Sequence, residues 1–206
     1  MSVRLHEGDL PENWVSGAAV AIDTETMGLA LGRDRLCVVQ LSRGDSDADV
    51  VRIAPGQKAA PRLTAMLGDP AVTKLFHFGR FDMGVMCHAF GVMPAPIYCT
   101  KIASKLARTY TDRHGLKDLV KELLNVDLSK QQQSSDWGAP TLSEAQLAYA
   151  ASDVLHLHAL RERLDAILAR EGRDALARAA FAYLPDRVRL DLAGFEAMDI
   201  FSHASP

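Results

Sequence analysis

The sequence predicts an α/β fold, a mixed sheet that begins as an antiparallel meander and continues with parallel strands, flanked by helices. Three observations predict it. Short apolar runs rich in β-branched residues fill the first third, joined by turn-rich links too short for a crossover helix. Strand-like and helix-like segments then alternate up to Cys99. From Thr100 onward the apolar spacing is helical.

Residues 18–23 form a short apolar run closing on a carboxylate, and LCVVQL (36–41) and DVVRI (49–53) are two more. The links GRDR and SRGDSD are turn chemistry, so these three runs predict hairpins. Residues 61–67 predict a short helix with Pro61 in its first turn. KLFHF (74–78) predicts a fourth strand, 81–90 a helix stopped by Gly91 and Pro94, and 97–99 a brief fifth strand. Ser143 and Gln146 are spaced as a capping box, opening a helix expected to run to about Ala169. Its buried stripe would be Leu147, Val154, Leu157, Leu160, Leu164 and Ile167. A polar loop, 127–140, precedes it, and no repeat is visible.

At 206 residues, one domain covering 1–206 is expected, with a helical, apolar tail over about 171–206. The net charge of −3 bears on function. Proteins that grip long nucleic acids usually carry a basic surface. An acidic chain implies segregated cations, or a short substrate held by metals and a few side chains. Cys37, Cys87 and Cys99 are odd in number and form no CxxC pair, which argues against a disulfide framework or zinc site and suits a reducing cytoplasm. The N-terminus lacks the apolar core of a signal peptide, and no apolar run approaches the ~20 residues of a membrane span. A soluble, cytoplasmic protein is expected.

Asp23 and Glu25 end a strand two residues apart, so both can face one side and reach one metal. Asp82 falls near a helix start, where the dipole alone favours an acid; His77, five residues earlier, lies in an apolar strand, where core packing is the plainer role. Tyr149 and Asp153 share one face of the capped helix, one turn apart, either as a simple hydrogen-bonded pair or as a phenol beside a metal ligand. Four carboxylates and one phenol, each near an element end, are the inventory of a two-metal phosphodiester hydrolase. Two hard cations ~3.5–4 Å apart can clamp the attacking and leaving oxygens of a phosphoryl group.

In order and separation these clusters resemble the DEDD superfamily of 3′→5′ exonucleases, in its tyrosine subgroup and ribonuclease D-like branch, whose fold is ribonuclease H-like. Asp23 and Glu25 fit the first motif, Asp82 the second, Tyr149 and Asp153 the third; His77 stands where that branch often carries His. GLKDLVKELLNVDLSK, QSSDW and QLAYAASDVLHLHAL extend the likeness from about 18 to 164. The resemblance implies catalysis by Asp23, Glu25, Asp82, Tyr149 and Asp153, with the four acids binding two divalent cations, Mg2+ or Mn2+. It departs after Trp137, where Gly138-Ala139-Pro140 replaces the arginine-containing run usual in that branch, and the sequence given has no counterpart of the C-terminal helical domains of ribonuclease D.

The stretches DTETMGL, GRDRLCVVQLS and LARTYTDRHGLKDL resemble nano-RNase C, a compact family of bacterial diribonucleotidases. That implies Leu29 as a wedge between two bases, with Met27 the less favoured neighbour, and Thr26 and His77 as further substrate contacts. It also implies dinucleotides as substrate and a homo-oligomer, an octamer. The alternatives are trimming of longer RNA, DNA 3′-end hydrolysis, and a catalytically dead scaffold. The last has no reason to keep four acids together.

Three other signals are set aside. Asp45, Asp47 and Asp49 mimic a calcium loop, but Val50 and Gly56 stand where Gly and Glu are required, so a hairpin turn is expected. His156 and His158 diverge on a helix. Arg108, Arg113, His114 and Lys117 read as a solvated basic stretch, with capping of a terminal phosphate as the alternative.

Overall fold

The computed structural model describes residues 2–129, 131, 132 and 134–203. Parts of two expected segments, the polar loop at Lys130 and Gln133 and the tail at 204–206, lie outside the described residues. β2 (Ala19–Thr26), β3 (Leu36–Ser42) and β4 (Ala48–Arg52) form the expected antiparallel meander. β5 (Thr73–Phe76) and β6 (Ile97–Cys99) add in parallel beside β2. One strand was not expected from the sequence: β1 (Val3–Glu7) pairs in parallel with β4, giving the order β1-β4-β3-β2-β5-β6. Its alternation is masked by charge, and its anchor is distant. Asp49, buried in β4, accepts from Arg4 Nε (2.9 Å) and Trp14 Nε1 (2.8 Å) and meets His6 Nε2 (2.8 Å). Asp49 is thus a structural hub, and Asp45 and Asp47 lie in the hairpin link between β3 and β4.

β3 is buried along its whole length because both faces are covered. Val38 and Val50 pack with Trp137 and Ala150 on one side; Val39 and Val51 join the main core on the other. The helices are α1 (Pro61–Gly68), α2 (Arg80–Phe90), α3 (Thr100–Ala107), α4 (Leu116–Leu124), α5 (Glu144–Leu155), α6 (Leu157–Arg170) and α7 (Asp174–Leu190). The capping box at Ser143 and Gln146 is formed in full. The helix it opens does not run unbroken to Ala169: it breaks at His156. α5 lies across β2, β3 and β4, whereas α6 packs on α3 and α4, and one straight helix cannot follow both surfaces.

A second correction concerns β5, which ends at Phe76 rather than Phe78. Phe78 has φ 67°, left-handed backbone, and Gly79 packs so closely that a Cβ there would sit 2.6 Å from Phe76 Cβ. The chain therefore turns sharply from β5 into α2, and His77 lies on this elbow rather than within a strand.

Beyond α7 a wide turn, Asp191–Phe195, leads into the tail. Arg80, first residue of α2, donates to buried Asp191 through Nε (2.6 Å) and Nη2 (2.8 Å), and Arg187 pairs with it at 3.0 Å. The tail is thereby fastened to the start of α2. Leu192, Phe195, Met198, Ile200 and Phe201 nevertheless remain exposed, Phe201 at 76%. No helix among the described residues is long and apolar enough to cross a membrane.

Candidate active site

β2 delivers its two acids to the end of the sheet nearest α2 and α5. Asp23 stands opposite Gln40 in register, and Gln40 Nε2 donates to Asp23 Oδ2 at 2.7 Å. A bulge follows between Glu25 and Thr26, which bends the strand away just past the second acid. Asp82 sits in the first turn of α2, where Thr24 Oγ1 donates to its Oδ1 at 2.6 Å. α5 supplies Asp153 with Tyr149 one turn before it, the phenol within hydrogen-bonding reach of the carboxylate.

Asp23, Glu25 and Asp153 each bring an oxygen within 4.8 Å of the others. Burial and mutual repulsion push all four acids towards protonation. Asp23 rises well above its ordinary value through burial, then the charges of Asp82, Asp153 and Glu25. Glu25 is pushed up to about 8 by burial and by Asp153 and Asp82. Asp82 reaches about 7 through burial, against the lowering bond from Thr24, and Asp153 about 6 through burial, against the bond from Tyr149. Half-buried oxygen donors this close, each short of positive charge, suit hard divalent cations.

These side chains line one cleft of about 340 Å³. Thr26, Leu29 and His77 line it too. Thr26 Oγ1 donates to the Gly28 carbonyl, closing the turn from which Leu29 projects, 81% exposed. Met27 is not among the lining residues; its Sδ occupies the space that a Cβ on Gly138 would need, so it packs towards the loop after Trp137. His77 Nδ1 is hydrogen-bonded with Thr100 Oγ1 at 2.9 Å, and burial, then the Lys101 charge, push the ring down to about 3. It stays neutral at physiological pH.

The basic stretch divides. Arg108 is fully buried, paired with Glu122 and donating to Ser104 Oγ (3.0 Å) and the Arg113 carbonyl (2.7 Å), so it is no part of a solvated patch. Lys117 alone of that stretch lines the cleft. Sequence reasoning missed Gln40, Phe78, Phe81 and Thr24's role. For Gln40 a signal existed: an amide inside the apolar run LCVVQL must find a partner when buried.

The 3′–5′ exonuclease family model matches residues 8–169. Among solved structures the chain is similar to Brucella melitensis NrnC with bound Mg2+, at 58% identity and TM-score 0.95 over 99% of this chain and 100% of that one. The same protein bound to pGG matches at 59% identity, with equal TM-score and coverage. Escherichia coli RNase D is similar at 29% identity and TM-score 0.75, over 83% of this chain and 45% of its own. Ribonuclease D of Gluconacetobacter diazotrophicus is 41% identical over 154 residues, 75% of this chain. The chain spans about two-fifths of the length of such curated relatives, 39% in that case.

Proposed function

Because the chain belongs to the 3′–5′ exonuclease family and its fold is that of a ribonuclease H-like exonuclease, we propose that it hydrolyses very short RNA, dinucleotides best, to nucleoside 5′-monophosphates in the cytoplasm. The observation that carries this reading is the convergence of Asp23, Glu25, Asp82, Tyr149 and Asp153 on one small cleft. Its volume of about 340 Å³ lies at the low end of the ~300–1,000 Å³ usual for small-molecule sites, which favours a short substrate.

Asp23, Glu25 and Asp153 would hold one divalent cation, with Asp23 and Asp82 holding a second, Mg2+ or Mn2+. When bound, such cations supply Lewis-acid activation of water and neutralisation of the phosphoryl oxygens. Tyr149 keeps its proton, because burial, Asp153 and Glu25 all oppose a phenolate. Its hydroxyl orients the attacking water while Asp153 fixes the phenol. Water oxygen bonds to phosphorus and releases a proton to solvent, the bond to the 3′ oxygen breaks, and that oxygen takes up a proton from solvent. Leu29 parts the two bases, and neutral His77 with Thr26 completes the polar wall.

The second reading is ribonuclease D-type trimming of longer RNA or DNA 3′ ends, favoured by the curated relatives. Hydrolysis of 5′-labelled RNAs of two to seven nucleotides with Mg2+, each length followed separately, decides between them. The dinucleotide reading expects efficiency to fall sharply from two to three nucleotides. Equal rates for two and seven would give the second reading instead, and Asp23→Asn should abolish either activity. The chain acts as a single catalytic domain within a homo-oligomer, an octamer, in which the exposed tail residues cover one another.

A further inference from the structure

The geometry points to Phe78 as a nucleobase platform of the cleft, its ring backed by the Lys101 ammonium. This rests on the reading above that a short RNA enters the site. Phe78 is the apex of the elbow between β5 and α2, in left-handed backbone (φ 67°) that bulky residues rarely adopt. Gly79, next in the chain, lies so close to Phe76 that no side chain fits there, so the elbow is tightly packed on that side. Strain of this kind persists where the surroundings over-determine it, and it gathers at ligand sites. What the elbow achieves is to hold an aromatic ring out: Phe78 is 47% exposed and lines the cleft, whereas Phe76, two residues earlier, is fully buried.

The segment is braced in two consecutive rungs from the start of α3. Thr100 Oγ1 is hydrogen-bonded with the His77 ring, and Lys101 Nζ stands 4.2 Å from the centre of the Phe78 ring. An ammonium over one face draws on the ring's electrons. A ring so polarised stacks more strongly on an electron-rich purine, while the same charge favours the phosphate attached to it. Packing gives no reason for an exposed, strained, cation-backed phenyl beside four acids. A base seated on it gives one, because stacking on aromatic rings accepts any base and needs no hydrogen-bond code.

The test is steady-state hydrolysis of 5′-phosphorylated diadenylate, and of its two analogues each lacking one base, by wild type, Phe78→Trp, Phe78→Leu and Phe78→Asn, with thermal unfolding in parallel. Phe78→Leu and Phe78→Asn should raise KM for diadenylate roughly 10-fold, within the range stacking carries. Their kcat should stay within about twofold, since the loss is of uniform binding. Phe78→Trp should retain affinity. One of the two abasic analogues should become insensitive to all three changes. Asn tolerates left-handed backbone, so Phe78→Asn should unfold no earlier than wild type, which separates lost stacking from lost structure. Unchanged KM in Phe78→Leu and Phe78→Asn, or equal sensitivity of both abasic analogues, overturns the platform. Should wild type spare diadenylate and degrade a heptamer, the dinucleotide reading falls alone, and the same KM comparison on the heptamer decides Phe78.

Discussion

The phenol of Tyr149 is held neutral by burial and by three neighbouring carboxylates, so in the proposed reaction it would contribute position rather than charge. Tyr149→Phe should lower kcat by roughly 10²-fold, the loss expected when a reacting group is misplaced, with little change in KM. A mutant that lost affinity and kept kcat would reduce the phenol to a binding group. The acids make a separate prediction. Glu25, Asp82 and Asp153 sit near 8, 7 and 6 when folded, above the ordinary 4.5, 3.8 and 3.8. Between about pH 4 and pH 8 the folded state therefore binds more protons than the unfolded one, and stability falls as pH rises. With EDTA present, Tm should drop by at least ~3 °C from about pH 5 to about pH 8. Added Mg2+ should raise Tm more at the higher pH, because ligands must be deprotonated to bind. A flat Tm across that range would show that the acids are not mutually destabilised. That Asp23, Glu25, Asp82, Tyr149 and Asp153 share one cleft was foreseeable from the sequence, since the metal-assisted hydrolysis proposed for them calls for those residue types near element ends. Phe78 was not: nothing in KLFHF marks a left-handed residue, because that conformation belongs to the sharp turn between β5 and α2, which local residue types do not specify.

Helix α2 carries Asp82 on its first turn and is clamped at its first residue, Arg80, to Asp191 from beyond α7. Removing a buried partner costs ~3–5 kcal/mol when the charges left behind are fully buried. Arg80 is a third exposed and Arg187 less so, so for Asp191→Ala about 2–3 kcal/mol is expected after allowing for solvent screening. Urea denaturation measures it; a change under about 0.5 kcal/mol would class the clamp with ordinary surface pairs. The meander was legible at this scale because its short links leave only hairpins. The break at His156 was not, since apolar spacing records that a face is buried and says nothing of which surface covers it. β1 was hidden for a related reason: its partner β4 lies far along the chain, and Arg4 and His6 read as solvent-facing until Asp49 is seen between them.

At the scale of the molecule, five large apolar residues of the described tail, Leu192, Phe195, Met198, Ile200 and Phe201, stand exposed within ten positions of one another. Light scattering at micromolar concentration should give a particle several times the 22.4 kDa chain, and deletion from Phe195 onward should break it down. A monomer mass for the full chain ends the oligomer proposal. The like charges gathered from β2, α2 and α5 have one more effect. Docking α5 brings Asp153 against two other acids, so without cations part of what this helix gains by packing on the sheet is offset by that repulsion. Cooperative units of low local stability open first. In hydrogen–deuterium exchange the amides of Glu144–Leu155 should therefore lose protection well before those of β2 and β3, and Mg2+ should slow them selectively. Substrate and metal would then meet a structure whose catalytic helix is shut by the ions it serves.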